Sequence, residues 1–138
     1  MGNKELVREA LEARKQSYCP YSGFAVGAAL LCGDGTVFRG CNIENAAYPA
    51  TNCAERTAMF KAVSEGNTDF RAIAIVGGSK GEEPRDFCAP CGVCRQVMAE
   101  FGDPETFRII LMNGDGEIRE YLLKELLPLG FTGKALGK

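Results

Sequence analysis

The chain has 138 residues, 46% of them apolar, with seven cysteines, no histidine and a formal net charge of −2. That length predicts one domain, residues 1–138, built on a single core. Acidic and basic residues are scattered. No Lys/Arg-rich run marks a polyanion site, and no apolar stretch approaches the roughly 20 residues of a membrane span, so the expectation is no nucleic-acid and no membrane partner. Met1 to Gln16 is charged and lacks the apolar segment of a signal peptide. An odd cysteine count in a chain of ordinary length is also unlike a secreted disulfide framework. A reducing, cytoplasmic setting is expected, where clustered cysteines bind metal or do redox chemistry.

In chain order, Asn3 can cap a first helix running to about Gln16, with Leu6, Val7, Ala10, Leu11 and Ala13 forming a helical stripe. Pro20 and Gly23 break it. Ala25 to Cys32 and Thr36 to Asn42 are two extended runs around Gly33-Asp34-Gly35, which predicts a hairpin. Glu44 to Asn52 reads as a loop. A second helix should run from about Cys53 to Glu65, capped by Thr51 or Asn52 and stopped by Gly66. Ala72 to Val76 is a short apolar strand, and Gly77 to Ala89 is polar and Gly-rich, hence a loop. A third helix opens near Cys91 and ends by Gly102. Phe107 to Met112 is a buried strand, and Asn113-Gly114-Asp115-Gly116 turns it into Glu117 to Glu120. A last helix covers about Leu122 to Leu127. Strands alternating with helices predict a three-layer α/β sheet.

The chemistry concentrates in two clusters whose first thiols are 38 residues apart, Cys53-Ala54-Glu55 and Pro90-Cys91-Gly92-Val93-Cys94. Both fall at predicted helix starts, where the helix dipole and free N–H groups favour thiolates. Cys53, Cys91 and Cys94 offer three protein ligands for a tetrahedral zinc and leave one position open, the mark of a catalytic zinc. The carboxylate of Glu55 then reads as a proton carrier rather than a ligand, an arrangement that resembles the site of zinc deaminases. Three thiolates make an electron-rich metal. Arg56 and Arg95, each next to a cluster residue, are placed to offset that charge. Two alternatives stay open. Cys88 could join as a fourth ligand and close a structural site. Cys91 and Cys94 alone could be a thiol–disulfide exchange pair, which leaves Cys53 and Glu55 without a role. Cys19, Cys32 and Cys41 read as small buried hydrophobes.

At these residues the chain resembles the cytidine deaminase family, in its small homotetrameric form. The resemblance rests on Asn42-Ile43-Glu44-Asn45-Ala46-Ala47-Tyr48, Cys53-Ala54-Glu55-Arg56 and Pro90-Cys91-Gly92-Val93-Cys94-Arg95, and extends from about Tyr21 to Phe131. It implies a three-layer α/β/α sandwich around a mixed five-stranded sheet whose last two strands form an antiparallel hairpin. It implies one zinc per chain on Cys53, Cys91 and Cys94, proton transfer by Glu55, and charge compensation at the thiolates by Arg56. Asn42 and Glu44 would hold the ribose hydroxyls, the Ala54 backbone N–H the base carbonyl, and Phe24 would pack on the base. Tyr48 and Phe131 would line a neighbouring subunit's pocket, although Leu129-Gly130-Phe131 stands where many relatives have Gly-Ala-Phe. The implied reaction is hydrolytic deamination of cytidine and 2′-deoxycytidine to the uridines plus ammonia, in pyrimidine salvage. The residues agree on a nucleoside substrate. Glu44 would repel a phosphate, and no Gly-rich loop or basic cluster is present to hold one.

Overall fold

The computed structural model describes residues 1–138. Five strands form one sheet in the order β2-β1-β3-β4-β5, where β1 is Phe24–Cys32, β2 Val37–Cys41, β3 Phe70–Ser79, β4 Arg108–Met112 and β5 Ile118–Leu122. β3 and β4 run parallel and the other neighbours antiparallel, so the sheet is mixed and ends in the β4–β5 hairpin. The helices are α1 (Asn3–Arg14), α2 (Ala54–Ser64), α3 (Gly92–Phe101) and the short α4 (Leu123–Leu126). No helix is long and apolar enough to cross a membrane.

Side chains alternate across a strand, and β3 divides its residues between two cores. Ala72, Ala74 and Val76 face Leu6, Val7 and Ala10 of α1. Ile73 and Ile75 face the opposite way, into a larger core that holds Ala54, Ala58 and Met59 of α2 and Cys94 and Met98 of α3. The result is the expected three-layer α/β/α sandwich. Two glycines set how closely the layers approach. A Cβ on Gly27 would lie 2.0 Å from the Ala10 carbonyl oxygen of α1, and one on Gly40 would lie 2.4 Å from the Ala54 carbonyl oxygen of α2. Gly40 therefore lets the first turn of α2 rest directly on β2.

Local differences from the sequence reading have identifiable causes. β3 continues through Gly77 and Gly78 to Ser79, because β1 pairs with it at Val26, Ala25 and Phe24; ladder pairing overrides the low strand propensity of glycine. Asn3 is not the cap of α1, which is Gly2. Its amide instead donates to Glu120 and its carbonyl oxygen accepts from Arg108. α2 is capped by Cys53 itself. Thr51 accepts from the Asn45 N–H, and Asn52 donates to Thr57. The Glu44–Asn52 segment is not free loop throughout. Ile43 and Asn52 exchange two backbone hydrogen bonds, each of 2.9 Å, which closes the loop at its base and pairs the segment that carries Asn42 and Glu44 with the one that leads into Cys53.

Candidate metal centre

α2 and α3 lie on the same face of the sheet, and both begin on a cysteine: Cys53 is the N-cap of α2 and Cys91 the N-cap of α3. Cys94 sits in the first turn of α3, buried. The three Sγ atoms lie within 4.8 Å of one another, with Cys53–Cys91 at 3.8 Å and Cys91–Cys94 at 3.4 Å. Tetrahedral thiolate ligands at the usual zinc distance of about 2.3 Å stand about 3.8 Å apart, so the donor set fits zinc in size and kind. Cys53, grouped with the pair, is a third thiol that a dithiol exchange site does not use. Cys88 is outside this group. It packs against β3, where a Cβ on Gly77 would come within 2.8 Å of its Sγ, and burial pushes its thiol up to about 12.

The thiols differ in acidity. Hydrogen bonding with Cys94, then with Arg56, draws the Cys53 thiol down against the opposing effect of burial, while the same bond to Cys53 and burial push Cys94 up. Arg56 Nη2 donates to Cys53 Sγ at 3.2 Å. Arg95 does not do the same. Its Nε donates to the Pro90 carbonyl and its Nη1 to the Leu126 carbonyl, both at 2.8 Å. Arg95 thus joins the start of α3 to the end of α4, and Arg56 is the arginine that reaches a cluster thiol.

Glu55 is 5% exposed. Burial, the largest influence, raises its carboxyl to about 7. Ala54 is the first residue of α2, so its N–H is one of those that a helix leaves without an intrahelical acceptor. Phe24, at the start of β1, lies across Gly77, with its Cε2 3.0 Å from where a Cβ would stand. Asn42 is buried, and its amide accepts from the Val26 N–H and donates to the Phe24 carbonyl. Glu44 accepts from the Ser22 hydroxyl and from the backbone N–H groups of Tyr21 and Ser22. These bonds, the hydroxyl first, hold its carboxyl below the usual range.

Tyr48 and Phe131 are not drawn into the packed core; they are 84% and 61% exposed. Phe131 is tethered through its backbone, where Gln96 of α3 donates to its carbonyl at 2.7 Å. Gln96, Ser17 and Ser22 donate hydrogen bonds to Phe131, Asn42 and Glu44 respectively and were not singled out from the sequence. Only Ser22 carried a local signal, a small hydroxyl in a Pro/Gly turn segment.

Three convergent thiols, a buried Glu55 two residues after the first of them and a guanidinium on that same thiol form a donor set compatible with a zinc-dependent enzyme. Residues 2–110 match the sequence family described as the cytidine and deoxycytidylate deaminase zinc-binding region. The chain is 53% identical to a cytidine deaminase of Halalkalibacterium halodurans, over 97% of each chain. It is 49% identical to a cytidine deaminase of Sporosarcina psychrophila, over 99% of this chain and 96% of that one. The crystal structure of a cytidine deaminase from Burkholderia pseudomallei superposes with a TM-score of 0.85 at 49% identity, covering 95% of this chain and 100% of that one. The chain belongs to the cytidine deaminase family and is an enzyme, a hydrolase of that family.

Proposed function

We propose that the chain is a single catalytic domain that deaminates cytidine and 2′-deoxycytidine to the corresponding uridines and ammonia, and that it serves pyrimidine salvage in the cytoplasm. The observation that carries this reading is the group of Cys53, Cys91 and Cys94 with Glu55 buried two residues from Cys53. Those three thiolates would hold one zinc per chain. Zinc there supplies Lewis acidity that makes water a nucleophile near neutral pH.

The remaining work falls to the chain's own residues. The Glu55 carboxylate accepts one proton of the attacking water and delivers it to the ring nitrogen beside C4. That protonation makes C4 electrophilic. The second water proton passes through the same carboxylate to the departing amine, which leaves as ammonia. One group serves both transfers, and its burial favours a carboxyl that can be loaded as well as emptied near neutral pH. Arg56 offsets the charge of the thiolates. The Ala54 N–H holds the base carbonyl, Phe24 packs on the base, and Asn42 and Glu44 hold the sugar. Tyr48 and Phe131 complete a neighbour's pocket in a homotetramer. Their exposure supports that reading, as does Leu129, which is fully exposed and held at φ 56°, a conformation that bulky residues rarely adopt.

Metal analysis together with the loss of ultraviolet absorbance on mixing with cytidine tests the reading. One zinc per chain and turnover of both nucleosides are expected, with cytidine far preferred over its 5′-monophosphate. A chain that binds zinc but leaves cytidine unchanged sinks the proposal. A saturated-ring analogue with an sp³ C4 hydroxyl should inhibit about 10²-fold or more better than uridine.

A further inference from the structure

A buried polar group left without a partner costs about 1–3 kcal/mol, so each one inside the chain has a reason to be there. The buried polar or charged residues are Ser17, Asn42 and Glu55. The reaction above uses Asn42 and Glu55. Ser17 lies between α1 and β1, 4% exposed, and the reaction does not touch it. Its hydroxyl donates to Asn42 Oδ1 at 2.5 Å. Its backbone is held from both sides: its N–H donates to the Arg14 carbonyl, and its carbonyl accepts from Lys80 Nζ at 3.2 Å.

The hydrogen bonds determine which way the Asn42 amide faces. Oδ1 accepts from Ser17 and from the Val26 N–H at 2.9 Å, while Nδ2 donates to the Phe24 carbonyl at 2.8 Å. A flipped amide would set donor against donor at Val26 and acceptor against acceptor at Phe24. The two backbone partners therefore select the orientation. The Ser17 hydroxyl adds a third point that stops the amide from swinging about them. One Nδ2 hydrogen remains unused. Asn42 can offer a ligand only a donor, beside the acceptor-only carboxylate of Glu44.

We infer that Ser17 is a positioning residue for the sugar: it fixes the Asn42 amide so that its one spare N–H is presented to a hydroxyl of the nucleoside. This rests on the reading of Asn42 as a ribose contact. The test compares Ser17→Ala, Asn42→Ala and the double variant, each on cytidine and on 2′,3′-dideoxycytidine, which lacks both ring hydroxyls. Ser17→Ala should raise KM for cytidine roughly fivefold, as expected for loss of one hydrogen bond's orienting effect, and leave kcat within about twofold. The shift should vanish with the dideoxynucleoside, and the double variant should be no worse than Asn42→Ala alone. A general loosening of the fold would instead move both substrates alike, and that result, or additivity with Asn42→Ala, overturns the inference. If Asn42→Ala raises KM for cytidine and Ser17→Ala does not, Ser17 alone is misassigned. If Asn42→Ala leaves KM unchanged, the ribose reading fails and the role of Ser17 falls with it. Should Ser17→Ala not fold, Ser17→Cys keeps the shape with a weaker donor and carries the same expectations.

Discussion

α2 and α3 begin alike and then diverge. Each starts on a cysteine N-cap with extended backbone, Cys53 at φ −74° and Cys91 at φ −69°. Two positions beyond the cap stand Glu55 in one helix and Val93 in the other; three beyond stand Arg56 and Cys94. The third position lies back over the cap, since helical side chains lean toward the N-terminus. In α3 it carries the thiol that joins the cluster, and in α2 the guanidinium that donates to Cys53. At the second position the contrast is a buried carboxylate against an exposed valine. One backbone device has thus been specialised twice. The start of α3 supplies two of the three thiols, and the start of α2 supplies one thiol together with the groups proposed to move protons and balance charge.

That contrast can be broken experimentally. The largest effect is expected from Cys94→Ala, which should reduce zinc from one per chain to nearly none and abolish turnover, as measured by metal analysis and absorbance assay. Glu55→Gln comes next. It should retain zinc while kcat falls by about 10⁴-fold, the upper end of acid–base assistance, because one carboxylate serves both transfers. Near-normal activity would remove Glu55 from the mechanism.

Smaller effects should separate the two arginines. Arg56→Gln should weaken zinc retention against a chelator by roughly tenfold, in line with the loss of an outer partner of a metal ligand, with the fold intact. Arg95→Gln should leave zinc retention alone and lower stability by about 1–2 kcal/mol in denaturant unfolding, because it ties two backbone carbonyls rather than a thiol. Equal zinc retention in the two variants would erase the distinction. The smallest effect belongs to Cys88→Ser, which should keep both metal and activity. Loss of zinc in that variant would place a fourth thiol in the centre after all.

The order of elements was legible in the chain because helical stripes, strand runs and Gly-rich turns are local signals. The candidate metal ligands were legible for a similar reason. Cys91 and Cys94 are three residues apart, which a helix start places on one side, and Cys53 opens the other predicted helix. Glu55 and Arg56 followed from their spacing to Cys53.

What only the tertiary structure decided depends on groups distant in sequence. Arg95 looked equivalent to Arg56 because each adjoins a cluster residue. Its guanidinium is instead taken up by two backbone carbonyls, of Pro90 and of Leu126, and the second lies 31 residues on, where no spacing to the cluster reveals it. Gly77 and Gly78 looked like loop until β1 paired with them. Ser17 carried no signal, since its partner lies 25 residues on and the need for it arises only when Asn42 is buried. Composition and spacing determined which reactive groups this protein carries and where its helices begin. The packing of α2 and α3 on one sheet face determined which of those groups meet, because hydrogen bonds and burial act through space and not along the chain.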